Sequence, residues 1–203
     1  MRSASAFLLS AGFVALAALV GVGVLTGIDQ WSVDHLMPGG AFSGDESGLL
    51  SAVVPLWGAH WDDGWSIAAN IVTLPAAFVI AVPLVAWRSR PLALALVAAT
   101  IVEWIFKHSL DRPALYDGTH HITGFDSSYP SGHTVRAILV AAAFASPLSA
   151  VWAVASIALL QLDGWHTPSD IAGGILLGLL ALVGARRAAG ALRARGLLRS
   201  RAR

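Results

Sequence analysis

A chain of 203 residues that is 56% hydrophobic and only 12% charged lies far from the roughly 25% charge of soluble domains, which excludes an ordinary water-soluble globule. With no cysteine, disulfides and thiolate chemistry are excluded too. A formal net charge of +1 is uninformative as a total, and no nucleic-acid partner is expected.

Apolar runs approaching the ~20 residues that cross a bilayer recur along the chain. They predict transmembrane helices over 7–27, 67–87, 91–107, 133–147, 149–163 and 168–185. The expected architecture is therefore all-α, a polytopic six-helix membrane bundle forming one domain over 1–185, followed by a basic tail over 186–203. The first run is longer than the 7–15 apolar residues of a signal-peptide core and lacks a convincing cleavage motif, so it reads as a span. In the loop that follows, Trp57, Trp61 and Trp65 recur at i, i+4, i+8. That is one helical face, suited to lying in the membrane interface where indoles concentrate, with ligand stacking as the alternative. The fourth and fifth spans are short and meet at Pro147. In the sixth, Gly174-x3-Gly178 permits close helix approach, within the bundle or between copies. The oligomeric state is left open.

The charges sort onto this layout. Arg2, Arg88, Arg90 and the tail arginines fall on one side; Asp29, Asp34, Asp45, Glu46, Asp62, Asp63, Asp111, Asp117, Asp126 and Asp163 fall on the other. The positive-inside rule makes the arginine side cytoplasmic, which puts both termini inside. The 107–133 loop and the 163–168 turn then share the outer face. The tail serves as an orientation signal or lies on anionic lipid.

Those two outer segments carry the chemistry. Lys107 ends the third span and Arg112-Pro113 follows. Cations at a membrane edge suit a lipid phosphate, where arginine binds two oxygens at once; snorkelling is the other reading. In Pro130-Ser131-Gly132-His133, Ser131 is a natural N-cap and Gly132 lets an anion approach the backbone. The unpaired N–H groups and helix dipole there form an anion site. A cationic His133 in the first turn opposes that dipole, and makes sense beside a bound phosphate. In His166-Thr167-Pro168-Ser169-Asp170, Thr167 and Asp170 form a plausible capping box. The i, i+4 spacing also lets the Asp170 carboxylate hold one nitrogen of His166 and leave the other to attack. His35, His60, His108, His120 and His121 show no such pattern, and the adjacent pair reads as a loop feature.

These motifs resemble the type 2 phosphatidic acid phosphatase family, whose core also occurs in vanadium haloperoxidases. The family pattern runs Lys-x6-Arg-Pro, then Pro-Ser-Gly-His, then Ser-Arg-x5-His-x3-Asp, and the resemblance covers roughly 67–185. It implies that His166 attacks phosphorus to form a phosphohistidine while Asp170 orients it. His133 would protonate the leaving oxygen and then activate water, and Lys107, Ser131 and Gly132 would hold phosphoryl oxygens. No metal and no cofactor are implied, because cations and backbone donors stabilise the transition state.

Two departures stand against full identity with that pattern. Lys107 and Arg112-Pro113 are separated by four residues rather than six, and Ala114 occupies the family's arginine position. Leu159 and Leu160 occupy the serine and arginine positions of the third motif. Arg112 either replaces the family's arginine through a shorter loop or corresponds to a different family residue. Arg136, one turn beyond His133 on the same helical face, is expected to supply the missing guanidinium to phosphate; the competing expectation is a structural ion pair with Glu103 or an outer aspartate.

The function expected is that of a bacterial plasma-membrane lipid phosphatase acting at the extracytoplasmic face. Polyprenyl phosphate or diphosphate, phosphatidylglycerol phosphate and phosphatidic acid are candidate substrates, and membrane lipids the only other expected partners. The rival is a catalytically degenerate relative that binds phospholipid, or supports an assembly, without turnover. A transporter using Glu103 and Arg136 is a more distant alternative.

Overall fold

The computed structural model describes residues 2–37 and 64–195. Apart from one two-residue β-hairpin, its regular structure there is helical. Helix α1 spans Arg2–Gly21 and α2 spans Thr26–Leu36. After the gap come α3 (Gly64–Thr73), a 3-10 turn (Leu74–Ala76), α4 (Phe78–Arg88) and α5 (Arg90–Ser109). The hairpin pairs β1 (Tyr116–Asp117) with β2 (His120–His121). Helices α6 (Gly132–Phe144), α7 (Pro147–Leu162) and α8 (Pro168–Ala194) complete the chain.

Among the described residues, three helices are long and apolar enough to cross a membrane: Ala4–Gly21, Arg90–Ser109 and Pro168–Ala194; α3 and α4 taken as one bent unit make a fourth. At ~1.5 Å per residue, the 13 residues of α6 and 16 of α7 each fall short of the ~30 Å hydrocarbon core. The molecule is inverted relative to a soluble protein. Phe7, Leu8, Val14, Leu94, Ile101, Leu148, Val151 and Val154 face outward, while Glu103, Arg136, Ser156, His166 and Asp170 are buried. An apolar shell this extensive has no counterpart on soluble monomers and is what lipid solvates.

The span expected over 67–87 is a broken helix, α3 and α4 being bent by 50° at their junction. Pro75 lies in the 3-10 turn, where its missing N–H and its ring interrupt the ladder. The carbonyls released are claimed by other helices. Val72 O accepts from Trp152 Nε1 at 2.8 Å and Ser156 Oγ at 3.4 Å, and Ala76 O accepts from Arg136 Nε at 2.7 Å. Buried backbone groups without water need such partners. The first span also ends earlier than 27: a turn with Gly23 at φ 79° leads into α2, where a loop was expected. The tryptophan face of Trp57, Trp61 and Trp65 and His60 fall outside the described side chains.

The boundary at Pro147 is sharp. Ala145 closes α6 in the left-handed region at φ 51°, and Ser146 opens α7 with a capping box to Ser149. Helix α8 continues through Arg186, Arg187 and Arg193 to Ala194, so the basic segment begins as helix. It packs on α1, α5 and α6. A Cβ added at Gly174 would sit 2.5 Å from Ser131 O and 2.8 Å from Thr134 Cβ, and one at Gly178 would reach Ile138. The small residues thus bring α8 against α6 within the chain, as the spacing allowed.

Over one end of the bundle, α2 and the 110–128 segment form a cap. Val33 and Met37 pack with Leu115, Ile122 and Phe125. Gln30 clamps the Tyr116 backbone with both amide atoms, donating to its carbonyl at 2.6 Å and accepting from its N–H at 2.9 Å.

Candidate functional site

Two helix N-termini converge beneath that cap. Ser131 caps α6, its hydroxyl accepting from Thr134 N at 3.3 Å and from Thr134 Oγ1 at 2.9 Å. Thr167 caps α8 in a reciprocal box: its hydroxyl accepts from Asp170 N, and Asp170 Oδ2 accepts from Thr167 N at 2.9 Å. The two starts are tied directly, Ser131 N–H donating to Asp170 O at 2.9 Å. Residues 39 positions apart, Ser131 and Asp170, therefore share one wall of the site.

His133 and His166 are brought together, with ring centroids 6.1 Å apart and planes inclined at 54°. Trp165 stands edge-on to His133 at 6.0 Å. His166 is 0% exposed, and neither ring nitrogen has a hydrogen-bond partner among the described residues. Its Nδ1 lies 3.8 Å from Asp170 Oδ2, too long for a hydrogen bond yet correctly placed to become one. Asp170 is otherwise well held. Its Oδ1 accepts from Arg112 Nη1 at 2.9 Å, and its Oδ2 from Ser128 Oγ at 2.8 Å. A carboxylate fixed by this many donors is held in one orientation.

Arg112 does not present an open guanidinium. Besides Asp170, its Nη1 donates to Ser128 Oγ at 3.1 Å and its Nη2 to Asp29 Oδ2 at 2.9 Å. The residue expected to bind phosphate sits instead behind Asp170, bridging two acids. Asp29, on α2, also accepts from Ser169 N at 3.1 Å and Ser169 Oγ at 2.6 Å. Burial pushes its carboxyl above the usual range, reinforced by the Asp170 charge and opposed by Ser169 and Arg112.

On the opposite flank of the α6 start lies a second ionic group. Glu103 of α5 pairs with Arg136 Nη1 at 3.0 Å and with Lys107 Nζ at 3.5 Å. A Cβ on Gly132 would collide with the Glu103 carboxylate, so glycine is needed here for the approach of this side chain. Arg136 takes the ion-pair role that competed with phosphate binding, and adds the bond to Ala76 O that steadies the broken helix. At the family's arginine position, Leu160 is buried and its carbonyl accepts from Trp165 N and His166 N.

Asp29, Ser128 and Ser169 are the residues that sequence reading missed. No local pattern marks Asp29: 83 residues separate it from Arg112 and 140 from Ser169. The available cue was chemical, since a buried guanidinium has five N–H donors, more than Asp170 alone can accept. His35 and His108 each donate from Nδ1 to a carbonyl of their own helix, Trp31 O and Trp104 O. His121 contacts Asp126 at 2.9 Å on the exposed hairpin.

No known family profile, no characterised protein and no solved structure matches this chain.

Proposed function

We propose that the chain is a membrane lipid phosphatase of the type 2 phosphatidic acid phosphatase kind, acting through a phosphohistidine. The observation that carries the reading is the pairing of His133 with His166 at 6.1 Å, with Asp170 on the Nδ1 side of His166. Near-attack geometry holds reacting atoms about 3–3.5 Å apart, so a phosphoryl group lodged between these rings reaches both. In the first step His166 Nε2 attacks phosphorus, the bond to the lipid oxygen breaks, and His133 gives that oxygen a proton. In the second, His133 takes a proton from water, the oxygen attacks phosphorus, and the P–N bond breaks to release phosphate and neutral His166. Asp170 stabilises the imidazolium that His166 becomes. The Ser131 hydroxyl and the Gly132 backbone N–H, together with Lys107, supply the donors for phosphoryl oxygens.

The layout proposed is six crossings, with both termini on the cytoplasmic side of a bacterial plasma membrane and the histidines on the outer side. The charge asymmetry supports it, as does the polar cap formed by α2 and 110–128. The short α6 and α7 cross in this scheme only where the bundle thins the bilayer locally. A phosphomonoester or diphosphate of a polyprenol, phosphatidylglycerol phosphate or phosphatidic acid fits a head group that meets the site from the membrane edge.

A second reading has its own support. Arg112 is committed to Asp29 and Asp170, Arg136 to Glu103, and Leu160 stands where the pattern has a cation. A protein so arranged could hold phospholipid without turnover. Phosphate release from a panel of lipid phosphates in vesicles, with EDTA present, separates the two. Metal-independent release by the wild type that drops at least a thousandfold in His166→Ala supports the phosphatase. Tight lipid binding with no release from any substrate supports the alternative.

A further inference from the structure

We propose that Asp29, on the short helix α2, is a positioning residue for the His166–Asp170 pair. The inference rests on the phosphatase reading for its kinetic arm only. Asp29 is 1% exposed and reaches Asp170 by two routes. Through Ser169 it accepts the backbone N–H at 3.1 Å and the hydroxyl at 2.6 Å, anchoring the residue immediately before Asp170. Through Arg112 it accepts from Nη2 at 2.9 Å while Nη1 of the same guanidinium donates to Asp170 Oδ1 at 2.9 Å.

The division of that guanidinium between two acids has a geometric consequence. An unshared arginine beside a carboxylate closes onto both oxygens as a fork. Here Asp29 holds Nη2, so Arg112 engages Asp170 through Nη1 and Oδ1. Oδ2 is left to Ser128, Thr167 N and, at 3.8 Å, His166 Nδ1. Asp29 thereby keeps available the oxygen that orients the nucleophile.

Stability alone is a poor reason for such an arrangement. A buried ion pair is commonly no more stabilising than apolar side chains of similar volume, and α2 already docks through Val33 and Met37. What apolar packing cannot do is fix the rotation of a guanidinium.

The test uses the full chain in detergent. In Asp29→Asn, kcat is expected to fall about 10- to 100-fold, as for loss of groups that orient a first-contact ligand, while KM for the lipid stays within about twofold. The proton on His166 Nδ1, observed by NMR of ring-labelled histidine and assigned by its loss in His166→Ala, is expected to shift upfield as Arg112 closes on Oδ2. Ser169→Ala leaves every charge in place and carries the same two readouts, with a smaller fall, should Asp29→Asn not fold. Wild-type kcat in a folded Asp29→Asn, or an unmoved Nδ1 proton, overturns the proposal. A shifted Nδ1 proton in a wild type that releases no phosphate from any lipid keeps the positioning role and removes the phosphatase.

Discussion

Glutamate 103 is the side chain with the most to explain, since it brings a negative charge to the start of a helix proposed to bind an anion. It neutralises much of what Lys107 and Arg136 offer, lying 3.5 and 3.0 Å from them. Its contact with Gly132 sets it against the α6 N-terminus, where the dipole favours a carboxylate as readily as a phosphate. Glu103→Gln preserves the shape and an acceptor for Arg136 while removing the charge. Inhibition by inorganic phosphate is expected to tighten about tenfold in this variant, equivalent to about 1.4 kcal/mol. An inhibition constant equal to the wild type's would show that Glu103 and phosphate do not share those cations. At this scale the sequence was readable where chemistry is local: the Ser131 cap and the Thr167–Asp170 box need only neighbours. The partners of Arg112 were not, because both Asp29 and Ser128 reach it by tertiary folding rather than by spacing.

Among the elements, α8 carries two demands that its glycines divide. Near its start, Gly173 and Gly174 admit Tyr129 and the Ser131–Thr134 turn, whereas Gly184 has nothing within 4 Å of a built Cβ. Alanine should therefore act with opposite sign at two positions of one helix. Gly174→Ala is expected to destabilise by about 1–3 kcal/mol through overpacking against backbone and to lower activity by displacing His166. Gly184→Ala is expected to stabilise by up to about 1 kcal/mol through helix propensity. Thermal unfolding in detergent reads both, and a shared sign would refute the packing account. Hydropathy anticipated α5 and α8 well because their composition is continuous. It missed the α3–α4 bend because Pro75 was compatible with a kink, an ending or neither, and only the donors on α6 and α7 decide which.

Taken as a whole, the molecule pairs an apolar exterior with a polar interior gathered at one end, and its proposed orientation can be tested without altering a native thiol. The chain contains no cysteine, so a single introduced one reports alone. Thr119→Cys, on the exposed hairpin, is expected to react with a membrane-impermeant maleimide in intact cells, and Ala188→Cys, on the exposed end of α8, only after lysis. Labelling of Ala188→Cys in intact cells would invert the topology and place the histidines on the cytoplasmic side. The bend between α3 and α4 also bears on how this protein is made. The donors that satisfy Val72 O and Ala76 O lie on Arg136, Trp152 and Ser156, 60 to 84 residues further along the chain. Those carbonyls leave the ribosome well before their partners exist, and each would cost several kcal/mol if left bare in hydrocarbon. In the six-crossing layout proposed above, the α3–α4 segment would then wait near the aqueous boundary, or within the insertion machinery, until α6 and α7 are delivered. An early part of the chain is among the last to reach its final depth.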